Sequence, residues 1–144
     1  MLDFLEHLEN PDEALRAAYR VLAPGGILLL TVPAFELLWT SHDDINEHQR
    51  RYTRSSLEAI TSRAGFSILE SSYFFHWVFL AKLLVRFKEY LLPQNHPKMA
   101  TIPHPAVNRT LTWFSLAESR ILRKVGIPLP LGGSIWLVAT RLRE

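Results

Sequence analysis

Asp3-Phe4-Leu5-Glu6-His7-Leu8, followed by Ala23-Pro24-Gly25-Gly26 and the run Ile27-Leu28-Leu29-Leu30-Thr31-Val32-Pro33, decides how this chain is read. Between the two pieces, Asn10-Pro11-Asp12-Glu13 opens a helix. Asn10 can cap, Pro11 suits the first helical position, and Glu13 can complete a capping box at the positive helix end. Leu15, Ala18, Tyr19 and Leu22 then recur at helical spacing, and Pro24-Gly25-Gly26 stops the helix. The run from Ile27 to Val32 does not alternate, so it predicts a strand covered on both faces, as in a parallel sheet. An acidic and imidazole cluster beside such a strand belongs at a sheet end, where open α/β folds hold ligands.

Outward from that stretch, Ala34 to Arg54 forms a long polar segment with Trp39, His42, Asp43, Asp44, Glu47, His48, Arg50, Arg51 and Tyr52. Long polar connections at sheet ends are usually functional or mobile. Thr53 caps the next predicted helix, with Leu57, Ile60, Thr61 and Ala64 inward and Gly65 as its stop. Phe66 to Tyr73 reads as a second strand. Phe74 to Leu92 predicts an aromatic-rich helix whose charges Lys82, Arg86 and Glu89 share one narrow stripe, read first as a core or lid element and second as a membrane-surface one. Pro93 to Pro105 reads as a linker. A further helix is predicted from Ala106 to Val125 with Val107, Leu111, Phe114, Ile121 and Val125 inward. Gly126 to Gly133 is a turn region, and Ser134 to Arg141 a last strand whose direction the pattern leaves open. The alternation of strands and helices predicts a largely parallel α/β sheet.

The bulk properties set outer bounds. A chain of 144 residues suits a single domain that buries about two-thirds of its unfolded surface. Its 48% hydrophobic and 21% charged content is globular, and a net charge of +2 gives no argument for nucleic acid. The absence of cysteine excludes disulfide and thiol chemistry and fits a reducing cytoplasm. No signal peptide is read at the N-terminus.

Asp3 to Leu8, Arg20-Val21-Leu22-Ala23-Pro24-Gly25-Gly26 and Ser62-Arg63-Ala64-Gly65-Phe66 together resemble the C-terminal half of class I S-adenosylmethionine-dependent methyltransferases. The first piece is similar to the segment after that fold's fourth strand, the second to the lead into its fifth, and the third to the lead into its sixth. Gly133 to Arg141 is similar to its antiparallel seventh strand. His48-Gln49-Arg50-Arg51-Tyr52-Thr53 resembles a histidine-arginine-tyrosine stretch between the fifth strand and its helix. The resemblance implies a partial Rossmann-like sheet of family strands 5, 7 and 6 with a stub of strand 4. Residues 1–144 would form one C-terminal portion of a domain, with 74–132 a mostly helical insertion before the last strand. The family's glycine-rich turn and ribose-binding acid would lie upstream of Met1, so the expectation is a truncated chain whose own cofactor binding is incomplete.

Site residues follow from the same resemblance. It implies S-adenosylmethionine as cofactor, met by the backbone around Leu2, Asp3 and Phe4. Glu6, His42, Arg50 and Tyr52 would face the substrate, and His7 and His48 would act as general bases or orienting groups. A second reading of Asp3, Glu6 and His7 is a divalent-cation site, as some relatives build from a similar stretch. A third is a solvated helix start whose acids favour the helix dipole. For Arg50, Arg51 and Arg54 the alternative to substrate binding is surface pairing with Asp43, Asp44 and Glu47, contributing about 0–1 kcal/mol. Arg120, Arg123, Lys124, Arg141 and Arg143 read as a solvated basic surface.

Two functions stay open at this point. One is methyl transfer to a small-molecule or lipid-linked substrate, with membrane-surface contact through 74–92 and an otherwise cytoplasmic protein. The other is a non-catalytic remnant or interaction module that pairs through an exposed sheet edge, with a second copy or with a separate N-terminal half.

Overall fold

In the computed structural model, residues 1–92, 104–125 and 129–142 are described. The helix α1 spans Pro11–Val21, the strand β1 Ile27–Pro33, and the short helix α2 Ser41–Ile45. They are followed by α3 (Arg54–Arg63), β2 (Ser67–Phe74), α4 (His76–Leu91), α5 (Pro105–Val125) and β3 (Ser134–Thr140). Single 3-10 turns lie at Leu5–His7 and Glu36–Leu38. The expected element order holds, and the long polar segment proves to contain structure of its own. The expected linker falls mostly, and the 126–133 turn partly, outside the described residues.

The helix boundaries have local causes. The Asn10 side chain accepts from the Glu13 N–H at 3.4 Å, with Pro11 at the first helical position. Thr53 and Ser56 form a reciprocal capping box at the start of α3. Gly65 ends that helix at φ +103°, where a side chain would be strained and would also press on the Tyr19 ring, 3.1 Å away. At the end of α1, the Arg141 guanidinium donates to the Tyr19 and Leu22 carbonyls, both at 2.9 Å, and lies 4.8 Å from the Tyr19 ring centroid. Arg141 is thus a cation on a helix C-terminus, not part of a solvated basic surface.

The strands form one sheet in the order β1-β3-β2, with both pairings antiparallel. Strands β1 and β2 therefore run the same way, as the alternation predicts. Because β3 inserts between them, both of these pairings are antiparallel rather than parallel. Met1 to Asp3 add a short parallel stub on the free edge of β1, bridging Leu2 to Thr31. The Asp3 N–H donates to the Thr31 carbonyl at 2.9 Å, and the Thr31 N–H to the Met1 carbonyl at 3.2 Å. The stub, β1, β3 and β2 reproduce the expected family order of strands 4, 5, 7 and 6.

The core lies on one face of this sheet. Leu28, Leu30 and Val32 of β1 stand opposite Ala139, Leu137 and Ile135 of β3, and all six are buried. Leu15 of α1, with Leu57 of α3 and Ala64 just past its end, closes over them. Each fully buried leucine contributes about 1.5–3 kcal/mol of apolar transfer. The expectation that β1 is covered on both faces fails. Ile27 and Leu29 are 55% and 45% exposed, because α1 and α3 pack on the same side. The inward face expected for the last helix holds only at Leu111, which is partly buried, while the Val125 side chain lies outside the described residues. Val107, Phe114 and Ile121 of α5 remain about half exposed, since α5 meets the described structure chiefly along α4.

Candidate functional site

The C-terminal ends of β1 and β2 lie at one end of the sheet, and the polar residues gather there. Pro33 and Ala34 finish β1, and the Ala34 segment makes a parallel bridge to Tyr52. That bridge returns the 34–54 segment to the sheet and places its middle over the Leu5–His7 turn. The Gln49 N–H donates to the Glu6 carbonyl at 2.7 Å, and the Tyr52 hydroxyl to the Leu5 carbonyl at 3.2 Å. The result is an open cleft of about 420 Å³ lined by Asp3, Glu6, His7, Pro33, His42, Asn46, His48 and Ser134.

Asp43 organises one wall of this cleft. It stands third in α2, where its carboxylate closes a capping box with Thr40. Oδ2 accepts from the Thr40 N–H at 2.9 Å. Oδ1 accepts from Arg51 Nε and an Arg51 terminal nitrogen at 2.9 and 2.7 Å. The Arg51 guanidinium also donates to the Ala34 carbonyl at 2.8 Å. Lys82 of α4 brings its ammonium to 3.8 Å from Oδ2. The pairing of Arg51 with Asp43 read from the sequence holds, but both side chains are fully buried, so it is an interior pair and not a surface one. Removing such a pair from water is costly, and it persists only with its remaining hydrogen bonds made. Burial alone would raise the Asp43 pKa. The Thr40 N–H, Arg51 and Lys82 outweigh it and hold the carboxyl below its ordinary 3.8. Lys82 is itself lowered, by burial first and by Arg51 second.

The same carboxylate orients His48, whose Nδ1 lies 2.8 Å from Asp43 Oδ1. An ionised carboxylate only accepts, so Nδ1 carries the hydrogen and Nε2 keeps its lone pair in the neutral ring. Burial lowers the His48 pKa from 6.5 and outweighs the opposing pull of Asp43, so the ring is neutral at pH 7. Its ring packs edge-on against His7, 4.8 Å between centroids.

Glu6 completes the group. It is 1% exposed, and one carboxyl oxygen, Oε2, is buried with no hydrogen-bond partner. Burial first, then the nearby Asp3 charge, raises its pKa above 4.5. This is the opposite of a solvated helix start. One ligand-capable atom each from Glu6, His7 and His48 lies within 4.8 Å of the others. A carboxylate and two imidazoles form a donor set that transition metals accept. Asp3 is outside that set, since its carboxylate accepts from the Thr31 hydroxyl at 3.1 Å.

The remaining sequence-read residues divide. Leu2 and Phe4 are 59% and 45% exposed beside the cleft, and Asp3 turns there at φ +46°. His42 lines the cleft and takes a 2.9 Å hydrogen bond from the Asn46 amide. Arg50 faces away from it, donating to the Glu9 carbonyl at 2.9 Å. Tyr52 is buried, and that burial pushes its phenol up to about 12. Its bond to Leu5 makes it a strut for the turn that carries Glu6 and His7. Arg54 pairs with Glu58 on its own helix at 3.6 Å rather than with the acids of the polar segment. Sequence reading missed the buried role of Asp43, although the Thr40-x-x-Asp43 spacing is a helix-start signal that could have shown it. Lys82 had no such signal, being brought in by α4 from far along the chain.

Comparison with known proteins agrees with this architecture. A family model described as a methyltransferase domain matches residues 1–71. No curated protein matches the chain in sequence. Among solved structures, the chain is similar to the Haloferax volcanii complex between the Trm112 methyltransferase activator and a methyltransferase, with TM-score 0.52 and 14% identity. That match covers 99% of this chain and 52% of the other. It is also similar to a SAM-dependent methyltransferase from Archaeoglobus fulgidus, with TM-score 0.51, 16% identity, and coverage of 97% and 57%. A third similarity is to Haemonchus contortus phosphoethanolamine N-methyltransferase 2 in complex with S-adenosyl-L-methionine, with TM-score 0.50, 17% identity, and coverage of 99% and 32%. These likenesses establish the Rossmann-like methyltransferase fold. The chain spans less than two-thirds of the length of each.

Proposed function

We propose, for a chain that belongs by its first half and its fold to the class I S-adenosylmethionine-dependent methyltransferase family, that it forms the substrate-facing part of a site for methyl transfer. The acceptor is a small molecule or a lipid-linked one bearing a protonated oxygen or nitrogen. The observation that carries this reading is the Asp43–His48 dyad, aimed into a cleft at the C-terminal end of β1. S-adenosylmethionine, when bound, supplies the electrophilic methyl group. Exposed Leu2 and Phe4, with the turn at Asp3, fit one edge of that cofactor as an apolar and polar rim.

The chain's own residues then have distinct tasks. His48 Nε2 takes the proton of the acceptor hydroxyl or amine, while Asp43 holds the ring in the required tautomer and favours the imidazolium that forms. Arg51 and Thr40 fix Asp43. Glu6 Oε2, buried and unpartnered, offers the acceptor's second N–H or O–H a hydrogen bond. His7 and His42 shape the mouth of the cleft. Proximity and orientation supply most of the rate, and the base adds roughly 10²–10⁴-fold.

Calorimetric titration of the purified chain with S-adenosylmethionine tests the cofactor assignment, and saturable micromolar binding is expected. Formation of S-adenosylhomocysteine against a panel of hydroxyl and amine acceptors tests the chemistry. His48→Gln should lower that rate at least about 100-fold while sparing cofactor binding. The base acts when neutral and its pKa lies below 6.5, so the rate should fall only on acidification below that value. A metal at Glu6, His7 and His48 would instead make turnover sensitive to chelators and restorable by added zinc.

A second reading rests on the uncovered face of β1. Ile27 and Leu29 stay exposed there, and Leu69 of β2 is 57% exposed. An interaction module would use this surface, or the sheet edge beside the Met1–Asp3 stub, to pair with a second chain. Light scattering that returns a dimer, together with no heat from the cofactor, would favour that reading over methyl transfer.

A further inference from the structure

Helix α4 is seated the wrong way round for a surface helix. Lys82, Arg86 and Glu89 form its narrow polar stripe, yet all three face the protein. Lys82 approaches Asp43 at 3.8 Å, Arg86 donates to the Trp39 carbonyl, and Glu89 accepts from the Ser41 hydroxyl at 2.7 Å. The opposite stripe, Leu80, Leu84, Phe87 and Leu91 at spacings of four, three and four, is exposed by 63, 71, 60 and 58%.

Helix α5 adds a second exposed stripe. Arg109, Trp113, Leu116 and Arg120 recur at the same spacing, and all four are exposed. The only two carboxylates of the helix pair are both spent inside the protein. One is Glu89. The other, Glu118, caps the start of α4, accepting from the His76 and Trp77 N–H groups at 3.0 and 3.1 Å. The outward charges described on the two helices are therefore all cationic: Lys88, Arg109, Arg120 and Lys124. Between the helices lies an apolar groove of about 350 Å³, lined by Trp77, Trp113, Phe114, Ile121, Leu122 and Leu129.

We propose that the α4–α5 face docks on an anionic lipid bilayer surface. The leucine and aromatic stripes would sit at the acyl boundary with the lysines and arginines among the lipid phosphates. Charge selects this occupant over a second copy. A two-fold interface sets a patch against itself, and here that would bring cation against cation with no carboxylate to offset it. No described helix is long and apolar enough to cross a membrane, so the contact is peripheral. The inference does not depend on methyl transfer. If both hold, the docked face delivers a lipid-linked acceptor through α4, whose Lys82 touches the Asp43 wall of the cleft.

Flotation of the full chain with phosphatidylcholine vesicles, with or without phosphatidylserine, tests this. Binding to the phosphatidylserine vesicles alone, weakening with salt, is expected. Doubly substituted R109Q/R120Q should bind those vesicles about 30-fold more weakly. Phe87→Asp should abolish flotation, and both variants should retain the far-UV circular dichroism of the wild type, since the altered side chains are exposed. Absence of flotation with anionic vesicles, or equal binding to neutral ones, overturns the proposal. So does a wild-type dimer in light scattering that Phe87→Asp dissolves, because the face would then belong to a second copy.

Discussion

The sheet layer and the α4–α5 pair are both rich in leucine and aromatic residues, and they dispose of them in opposite ways. Leu30, Leu57 and Leu137 are wholly buried between β1, β3 and the α1–α3 layer, whereas Leu80, Leu84 and Phe87 of α4 are 63, 71 and 60% exposed. Polar groups turn inward beside both. Next to the first, Asp43 and Arg51 of the 34–54 segment are pulled into the interior. In the second, the charged stripe of α4 is used up as a fastener against the 36–45 segment. An amphipathic pattern fixes that two faces exist. It does not say which face the rest of the protein takes.

The sharpest way to break this contrast is at the buried ion pair. Arg51→Met leaves Asp43 without its main partner and should cost about 3–5 kcal/mol in urea unfolding. A loss below about 1 kcal/mol would return the pair to the surface class. Next comes a matched truncation. Leu137→Ala in the sheet should lose about 2–5 kcal/mol, while Leu84→Ala on α4 should stay within about 0.5 kcal/mol in the absence of lipid. Equal costs would mean that the α4 stripe is covered in solution. Thr53→Ala removes the hydroxyl that caps α3 and should cost about 1 kcal/mol in the same assay.

The smallest effects separate the two buried carboxyls by pH. Glu6 has a raised pKa, so its native-state penalty is absent below 4.5 and complete once pH rises past its folded value. Glu6→Gln should therefore raise the melting temperature slightly at neutral pH, and the gain should vanish on acidification. Asp43 has the opposite sign. Its contribution is present above 3.8 and is lost as pH falls through its lowered folded value, so it resists acid until the carboxyl is protonated. A titration showing Glu6→Gln neutral at every pH would indicate that the orphan oxygen is partnered by water.

Much of this was legible in the residues. Asn10-Pro11, Thr53 and Gly65 set helix ends through local backbone chemistry, and local chemistry reads well from sequence. The Leu15 and Leu57 stripes marked the covering helices. The stretch from Asp3 to Leu8 marks one side of the cleft, and His48 reads as a candidate base or orienting group, whereas its hydrogen bond to Asp43 is not legible in the residues. Glu6 was read as a group facing substrate, but its burial was invisible, because depth depends on the 34–54 segment folding back over it through Gln49 and Tyr52. Arg50 and Arg51 are adjacent and chemically alike, and only the turn geometry sends one to Asp43 and the other to the Glu9 carbonyl.

By itself the sequence determined the elements, their order and the chemistry concentrated near Asp3 to His7 and His42 to Tyr52, since each depends on periodicity and short-range capping. Tertiary structure alone decided two things. It left one face of β1 open and turned the polar stripe of α4 toward Asp43. The reason is common to both. Each depends on which surface meets which across long separations in the chain, and that choice minimises buried unpaired charge and exposed apolar area over the whole molecule rather than within any one segment.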